Sequence, residues 1–307
     1  MKTLLQNNLI PLFDLHCDTL LELYKQNKNI KNNDLHISLE KTSSFSPYVQ
    51  ICAIWSDASL SNDEAFEVYK NVVNYSKNQL QFSINLKNTT DKCFILAVED
   101  ARILNGNLER LDSLFNDNVR ILTLNWKENT VIGGGWDTDS HLTDFGKKTV
   151  KKCFEIGIIP DISHSSINTA NDVFYLAEQF KKPVIASHSN SYSVCDHKRN
   201  INDEQFNWLV KNNSILGISL ASEHLSKNNQ ATIKNILDHI EHFLNLDGEN
   251  TICLGCDFDG VSSLPQKICS INDLTLLYGE IIKRFGKIIA RKIFFKNAYN
   301  FMSKNLK

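Results

Sequence analysis

Ile158-Ile159-Pro160-Asp161-Ile162-Ser163-His164-Ser165 and Val184-Ile185-Ala186-Ser187-His188-Ser189 set the fold class of this chain. Each is a short apolar run that ends on Ser-His-Ser. Runs of this length, bounded by polar turns, are the pattern of strands buried on both faces of a parallel sheet. The arrangement recurs. Phe13-Asp14-Leu15 leads into His16 and Asp18, Cys93–Val98 into Glu99, and Ile252–Gly255 toward Asp257. The strand candidates are Leu12–Leu15, Val49–Trp55, Phe94–Val98, Ile121–Leu124, Ile158–Ile162, Val184–Ser187, Ile215–Leu220 and Ile252–Gly255. Helical spacing of apolar residues predicts helices over Ala65–Leu80, Thr143–Ile156, Ser166–Phe180, Ile233–Leu244 and Leu274–Phe285. Strand alternating with helix implies a parallel sheet, and eight such units favour closure into a (β/α)8 TIM-like barrel over an open sheet. With no repeat, low-complexity tract or Gly- or Pro-rich linker, one barrel domain over residues 1–307 is expected.

A β/α barrel gathers side chains from the carboxyl ends of its strands on one face. Two His, a His-x-Asp pair, a Glu and an Asp at such positions point to a hydrolytic metal centre. On an extended strand His16 and Asp18 share a face and Cys17 turns away from them. Glu99 can bridge two ions, one oxygen each. A single strand-end His is usually structural. Two in equivalent positions on consecutive strands, His164 and His188, are better explained by a shared ion. Each would need its second ring nitrogen held by an acceptor that the spacing does not identify. Asp257 lies in Gly255-Cys256-Asp257-Phe258-Asp259-Gly260, and Val261 to Pro265 lack the further carboxylates of a calcium loop. Asp257 is therefore read as a proton shuttle and Asp259 as structural. His36, His141, His224 and His239 fit no strand-end pattern and are read as core or surface residues. Two long loops belong on the active face: Thr130–Leu142, with Gly133-Gly134-Gly135-Trp136, and Ser189–Asp203, with His197-Lys198-Arg199. Arg199 suits a substrate carboxylate.

The chain has 307 residues, 42% hydrophobic and 22% charged, an ordinary globular composition. A net charge of −2 gives no reason to expect nucleic acid or an anionic membrane surface as a partner. Gln6 to Asn8 interrupt the N-terminus before a signal-peptide core forms, and no run approaches the ~20 apolar residues of a membrane span. A cytoplasmic protein is expected, with its eight Cys as reduced thiols.

These motifs, in this order, resemble the membrane (renal-type) dipeptidases, zinc metallopeptidases among the amidohydrolase-like barrels. The pieces run from Asp14-Leu15-His16-Cys17-Asp18 through Val98-Glu99, Val119-Arg120-Ile121-Leu122-Thr123-Leu124 and Leu142-Thr143-Asp144-Phe145-Gly146. They continue through both Ser-His-Ser runs, Arg199-Asn200 and Gly255-Cys256-Asp257-Phe258-Asp259-Gly260, covering nearly the whole chain. The resemblance implies two Zn2+ ions bridged by Glu99 and a hydroxide, one held by His16, Asp18 and Glu99, the other by Glu99, His164 and His188. It implies Arg199, with Asn200 beside it, at the carboxylate of a dipeptide, and Asp257 moving the proton. In the mammalian members a histidine two residues after the Leu-Thr-Leu strand contacts the scissile carbonyl. Here that position is Trp126, which joins the substrate-contact candidates. The glycine before Val-Arg is Asn118, which tolerates a left-handed backbone. The function expected is hydrolysis of dipeptides with a free C-terminal carboxylate. A D-residue at the C-terminal position and homodimerisation are left open. The rival readings keep the centre for another small amide or a lactone, or make the chain a non-catalytic metal-binding protein.

Overall fold

The computed structural model describes residues 9–86 and 92–306, so the leader reading, which rests on Met1 to Asn8, lies outside the described residues. Eight strands run in chain order: Ile10–Asp14 (β1), Phe45–Trp55 (β2), Lys92–Glu99 (β3), Val119–Thr123 (β4), Ile159–Asp161 (β5), Ile185–Ala186 (β6), Ile215–Ile218 (β7) and Ile252–Leu254 (β8). They pair in parallel, each with its sequence neighbours, and β8 closes back on β1 through Asp14 and Leu254. This is the expected barrel, and each strand overlaps its predicted run.

The apolar alternation builds two layers. Val49, Ile51 and Ala53 of β2 and Cys93, Ile95 and Ala97 of β3 fill the barrel with Ile121, Ile159, Ile185, Ile215 and Cys253, and Ala298, Phe301 and Met302 close its floor. Cys52, Ile54, Leu96, Val98, Leu122 and Leu254 face outward against the helices. Each such aliphatic side chain contributes about 1.5–3 kcal/mol on burial, which makes the barrel a rigid mount for the residues at its rim. The two layers also place Cys253 inside and Cys256 outside, so this CxxC spacing presents its thiols to opposite faces. All eight cysteines are free, and seven are buried.

The predicted helices are present. Thr143 caps Asp144–Ile156 by accepting from Gly146 N, and Ser166 caps Ile167–Phe180 by accepting from Thr169 N. The helix predicted to end at Phe285 breaks at Gly286 (φ 87°), beyond which a second helical stretch continues to Arg291. Five helices were not predicted from the sequence: Thr19–Lys25, Glu109–Asn116, Asp203–Lys211, Ser222–Leu225 and Asn297–Asn305. Each is nine residues or shorter. Asp203–Lys211 did carry a readable start, because Asn202 and Gln205 form a capping box.

Candidate metal centre

Alternation along β3 carries Cys93, Ile95 and Ala97 inward and delivers Glu99 to the barrel mouth. Asp257 continues the inward series from Cys253. On β1 the phase changes: Phe13 and Leu15 face the barrel, yet Cys17 packs in the outer layer. This change after Leu15 turns His16 and Asp18 inward, where unbroken alternation would have turned them out. It accompanies the end of β1 at Asp14. His164 and Asp257 both sit at positive φ, 67° and 61°, which swings their side chains over the mouth at a cost that a packed site must offset.

The expected donors converge. His16 Nε2 lies 3.3 Å from Glu99 Oε2 and 3.5 Å from Asp18 Oδ2. The other Glu99 oxygen, Oε1, lies 2.8 Å from His164 Nε2 and 3.6 Å from His188 Nε2. His16–Asp18–Glu99 and Glu99–His164–His188 are thus two compact trios sharing one carboxylate, with the donor atoms of each within 4.8 Å of one another. A third grouping, His16–His188–Asp257, brings Asp257 within the same reach, 3.8 Å from His16 Nε2. Cys17 takes no part.

The acceptor that the spacing did not identify is Ser187, backed by Asp161. Ser187 Oγ lies 2.5 Å from Asp161 Oδ2 and 2.7 Å from His188 Nδ1. An ionised carboxylate can only accept, so Ser187 gives its one proton to Asp161 and must accept from His188 Nδ1–H. That fixes the tautomer and leaves His188 Nε2 with a bare lone pair aimed at the cluster. Asp161 also accepts from Thr123 Oγ1 at 2.6 Å and from the amides of Ser163 and Ser187 at 2.9 Å each. It ties β4, β5 and β6 together beneath both histidines.

These donors fit metal ions. His16 Nε2 and Asp18 Oδ1 are buried without a hydrogen-bond partner. His164 Nε2 and His188 Nε2 face each other at 2.8 Å. A proton or a cation held between them satisfies both nitrogens. Burial opposes the charged form of Glu99, but His164 and His16 hold it well below the usual carboxylate range. Burial likewise opposes a charge on His16, which Glu99 and Asp18 nonetheless pull well above its ordinary value. Burial, with Arg199 opposing protonation, pushes His164 down to about 4. Burial and the neighbouring carboxylates Asp18 and Glu99 push Asp257 well up.

The turn after Asp257 is held from outside. Asp259 Oδ1 accepts from His36 N at 2.7 Å, and its Oδ2 accepts from Thr19 Oγ1 at 2.5 Å, the structural role expected of it. A Cβ on Gly260 would stand 2.1 Å from Asp18 Oδ2 and 2.6 Å from Asp257 Oδ1. Only glycine lets this turn press against both carboxylates.

Arg199 is buried beside the cluster, with Nη2 donating to His188 O at 2.8 Å and Nη1 to Ser189 Oγ at 3.2 Å. Its Nε has no partner. Burial pulls it down to about 10, so it stays cationic at neutral pH. Asn200 is placed differently from Arg199. Its Nδ2 is spent on the carbonyls of Ser191, Cys195 and His224, which staples the loop and leaves only Oδ1 unpartnered. Trp126 stands 6.3 Å from the His164 ring and 5.1 Å from Trp55, a neighbour that the sequence did not single out. The two long loops meet over this face, where Trp136 lies 5.7 Å from His197 and Lys198 pairs with Asp137 at 3.2 Å.

The model of the membrane dipeptidase family, peptidase family M19, matches residues 2–305. The chain belongs to this family. Among curated relatives of this M19 member, dipeptidase 3 of Rattus norvegicus is 30% identical over 219 residues, 68% of this chain and 44% of that protein. Dipeptidase 3 of Macaca fascicularis is 29% identical over the same shares. The aligned part is thus less than half the length of these relatives. Among solved structures, the metallo peptidase dipeptidase AC superposes with a TM-score of 0.88 at 22% identity, covering 97% of this chain and 99% of its own. A metallo peptidase from Rhodobacter sphaeroides, liganded with a phosphinate mimic of L-Ala-D-Ala, superposes with a TM-score of 0.86 at 21% identity over the same shares. At these identities the superpositions establish the shared barrel.

Proposed function

We propose that this M19 member is a dinuclear zinc dipeptidase whose single domain, residues 1–307, hydrolyses dipeptides with a free C-terminal carboxylate. The observation that carries this is Glu99. Its two oxygens face different donor trios, Oε2 toward His16 and Oε1 toward His164, as a carboxylate shared by two ions requires. In this reading His16 and Asp18 complete one ion's shell and His164 and His188 the other's. Bound there, the ions supply a water made acidic, toward a pKa of about 7, and a polarised carbonyl.

The chain's own residues do the rest. Asp257 stands at the edge of the cluster, and its raised pKa suits it to take a proton from the attacking water and return it to the leaving amine. Arg199 lies across the donors, anchored through His188 O and Ser189 Oγ, and presents a permanent positive charge to the substrate carboxylate. Trp126 supplies an aromatic wall where mammalian members place a histidine. A D-residue at the C-terminal position belongs in the substrate set, given the L-Ala-D-Ala mimic bound by the Rhodobacter enzyme.

The test is a panel of L,L and L,D dipeptides beside their C-terminal amides. The free acids should be cleaved far better than the amides. Arg199→Ala should raise KM strongly and erase most of that preference, and Arg199→Lys should restore part of it, since an ammonium lacks the planar fork. Equal cleavage of acid and amide by the wild type would remove the anchor role.

A further inference from the structure

We propose that the tryptophan-walled cavity beside the donors selects dipeptides whose N-terminal residue carries a large apolar or aromatic side chain, with Trp55 the main specificity-determining residue. The inference rests on the dipeptidase reading and adds a substrate class to it. The cavity holds about 220 Å³. Asp18, Glu99, His164 and Asp257 line it together with Leu21, Trp55 and Trp126. Glu22 and Lys25 stand at its edge, paired at 3.3 Å, with Lys25 Nζ 5.8 Å above the Trp55 ring.

Direction is set by Arg199. Arg199 does not border this cavity; it is bound to the main chain of His188, a donor that also lies outside the cavity's lining. A dipeptide has one residue on each side of its scissile bond. With its carboxylate at Arg199 and its carbonyl at the donors, only the N-terminal residue can lie toward Leu21, Trp55 and Trp126. The two indoles meet at 5.1 Å with their planes tilted by 58°. They therefore form a corner, not a parallel slot, and offer ring faces and edges to a flat or branched side chain.

Both walls are fixed. Trp55 ends β2, in register with Glu99 of β3. Trp126 is fastened by the glycine loop: Trp136 N donates to Trp126 O at 3.2 Å, and Asp137 N to Lys127 O at 3.1 Å. Gly135 makes that contact possible, since a Cβ there would lie 2.6 Å from Trp126 O. A preformed apolar corner needs no reordering when it is filled, so the side chain's burial is available to discriminate substrates.

The experiment compares kcat/KM over a Gly-Ala, Ala-Ala, Leu-Ala, Phe-Ala series and the reversed Ala-X series. The wild type should favour Phe-Ala over Gly-Ala by about tenfold or more, the scale on which an apolar pocket discriminates, with a much flatter Ala-X series. Trp55→Ala should bring the Phe-Ala to Gly-Ala ratio toward one, and Trp55→Phe should keep part of it, which covers the case of a poorly folding alanine variant. A flat X-Ala series, a steeper preference in the Ala-X series, or an unchanged ratio in both variants overturns the proposal while leaving dipeptidase activity in place. Cleavage of none of these dipeptides by metal-loaded protein refutes the dipeptidase reading itself.

Discussion

At the scale of single residues, two side chains behind His188 settle where its ring proton sits. Ser187 and Asp161 are fully buried, yet they determine that Nε2 carries the free lone pair. Asp161→Asn removes acceptor capacity from a carboxylate that receives four hydrogen bonds, two from main-chain amides and two from hydroxyls. Ion affinity should fall about 10- to 100-fold, the usual effect of losing such support, as read by competition with a chromophoric chelator. Unchanged affinity would mean that His188 needs no orienting partner. Asp257→Asn is the complementary case. It should keep both ions bound and lose turnover by about 10²-fold or more, because a proton acceptor is gone while the shared trios remain. Normal turnover in this variant would assign the proton transfer elsewhere. The donors themselves were legible because each ends an apolar run. Asp161 was not, since it sits inside such a run, where a carboxylate carries no spacing signal. Trp55 was hidden in the same way, as an ordinary aromatic strand residue.

At the scale of elements, the strands were legible because burial on both faces leaves an almost continuous apolar run, while the turns beyond their carboxyl ends were not. The phase change between Leu15 and Cys17 and the left-handed turns at His164 and Asp257 are set by packing at the rim, which no local pattern encodes. The helix Ile233–Asn245 shows the same limit. His239 reads as a polar residue in an amphipathic helix, but it is fully buried and its Nδ1 accepts from Ser191 N at 3.0 Å. It thereby fastens the loop that carries Arg199. Burial pushes its pKa down from 6.5 to about 4. The folded protein therefore binds this proton less tightly than the unfolded chain. As pH falls below 6.5 the unfolded chain gains protons first, and stability declines by about 1.4 kcal/mol per pH unit down to about pH 4. Denaturation midpoints for wild type and His239→Gln between pH 7 and 4 should show a shallower slope in the variant. Parallel slopes would mean that burial does not lower the His239 pKa in the folded state.

At the scale of the molecule, one barrel gathers six titratable side chains from five strand ends into a mouth from which bulk water is largely excluded. The outer helices contribute support but none of the donors. No helix among the described residues is long and apolar enough to cross a membrane. In the proposed function, two ions shared through Glu99 drive the hydrolysis of dipeptides. The most direct measurement strips the protein with a chelator and returns Zn2+ in steps, following bound metal and hydrolysis of a cleavable dipeptide on the same samples. The account predicts no hydrolysis in the stripped protein, recovery that completes at two ions per chain, and a Glu99→Gln variant that cannot hold both. Full activity in metal-free protein, or full recovery at one ion per chain, would contradict it.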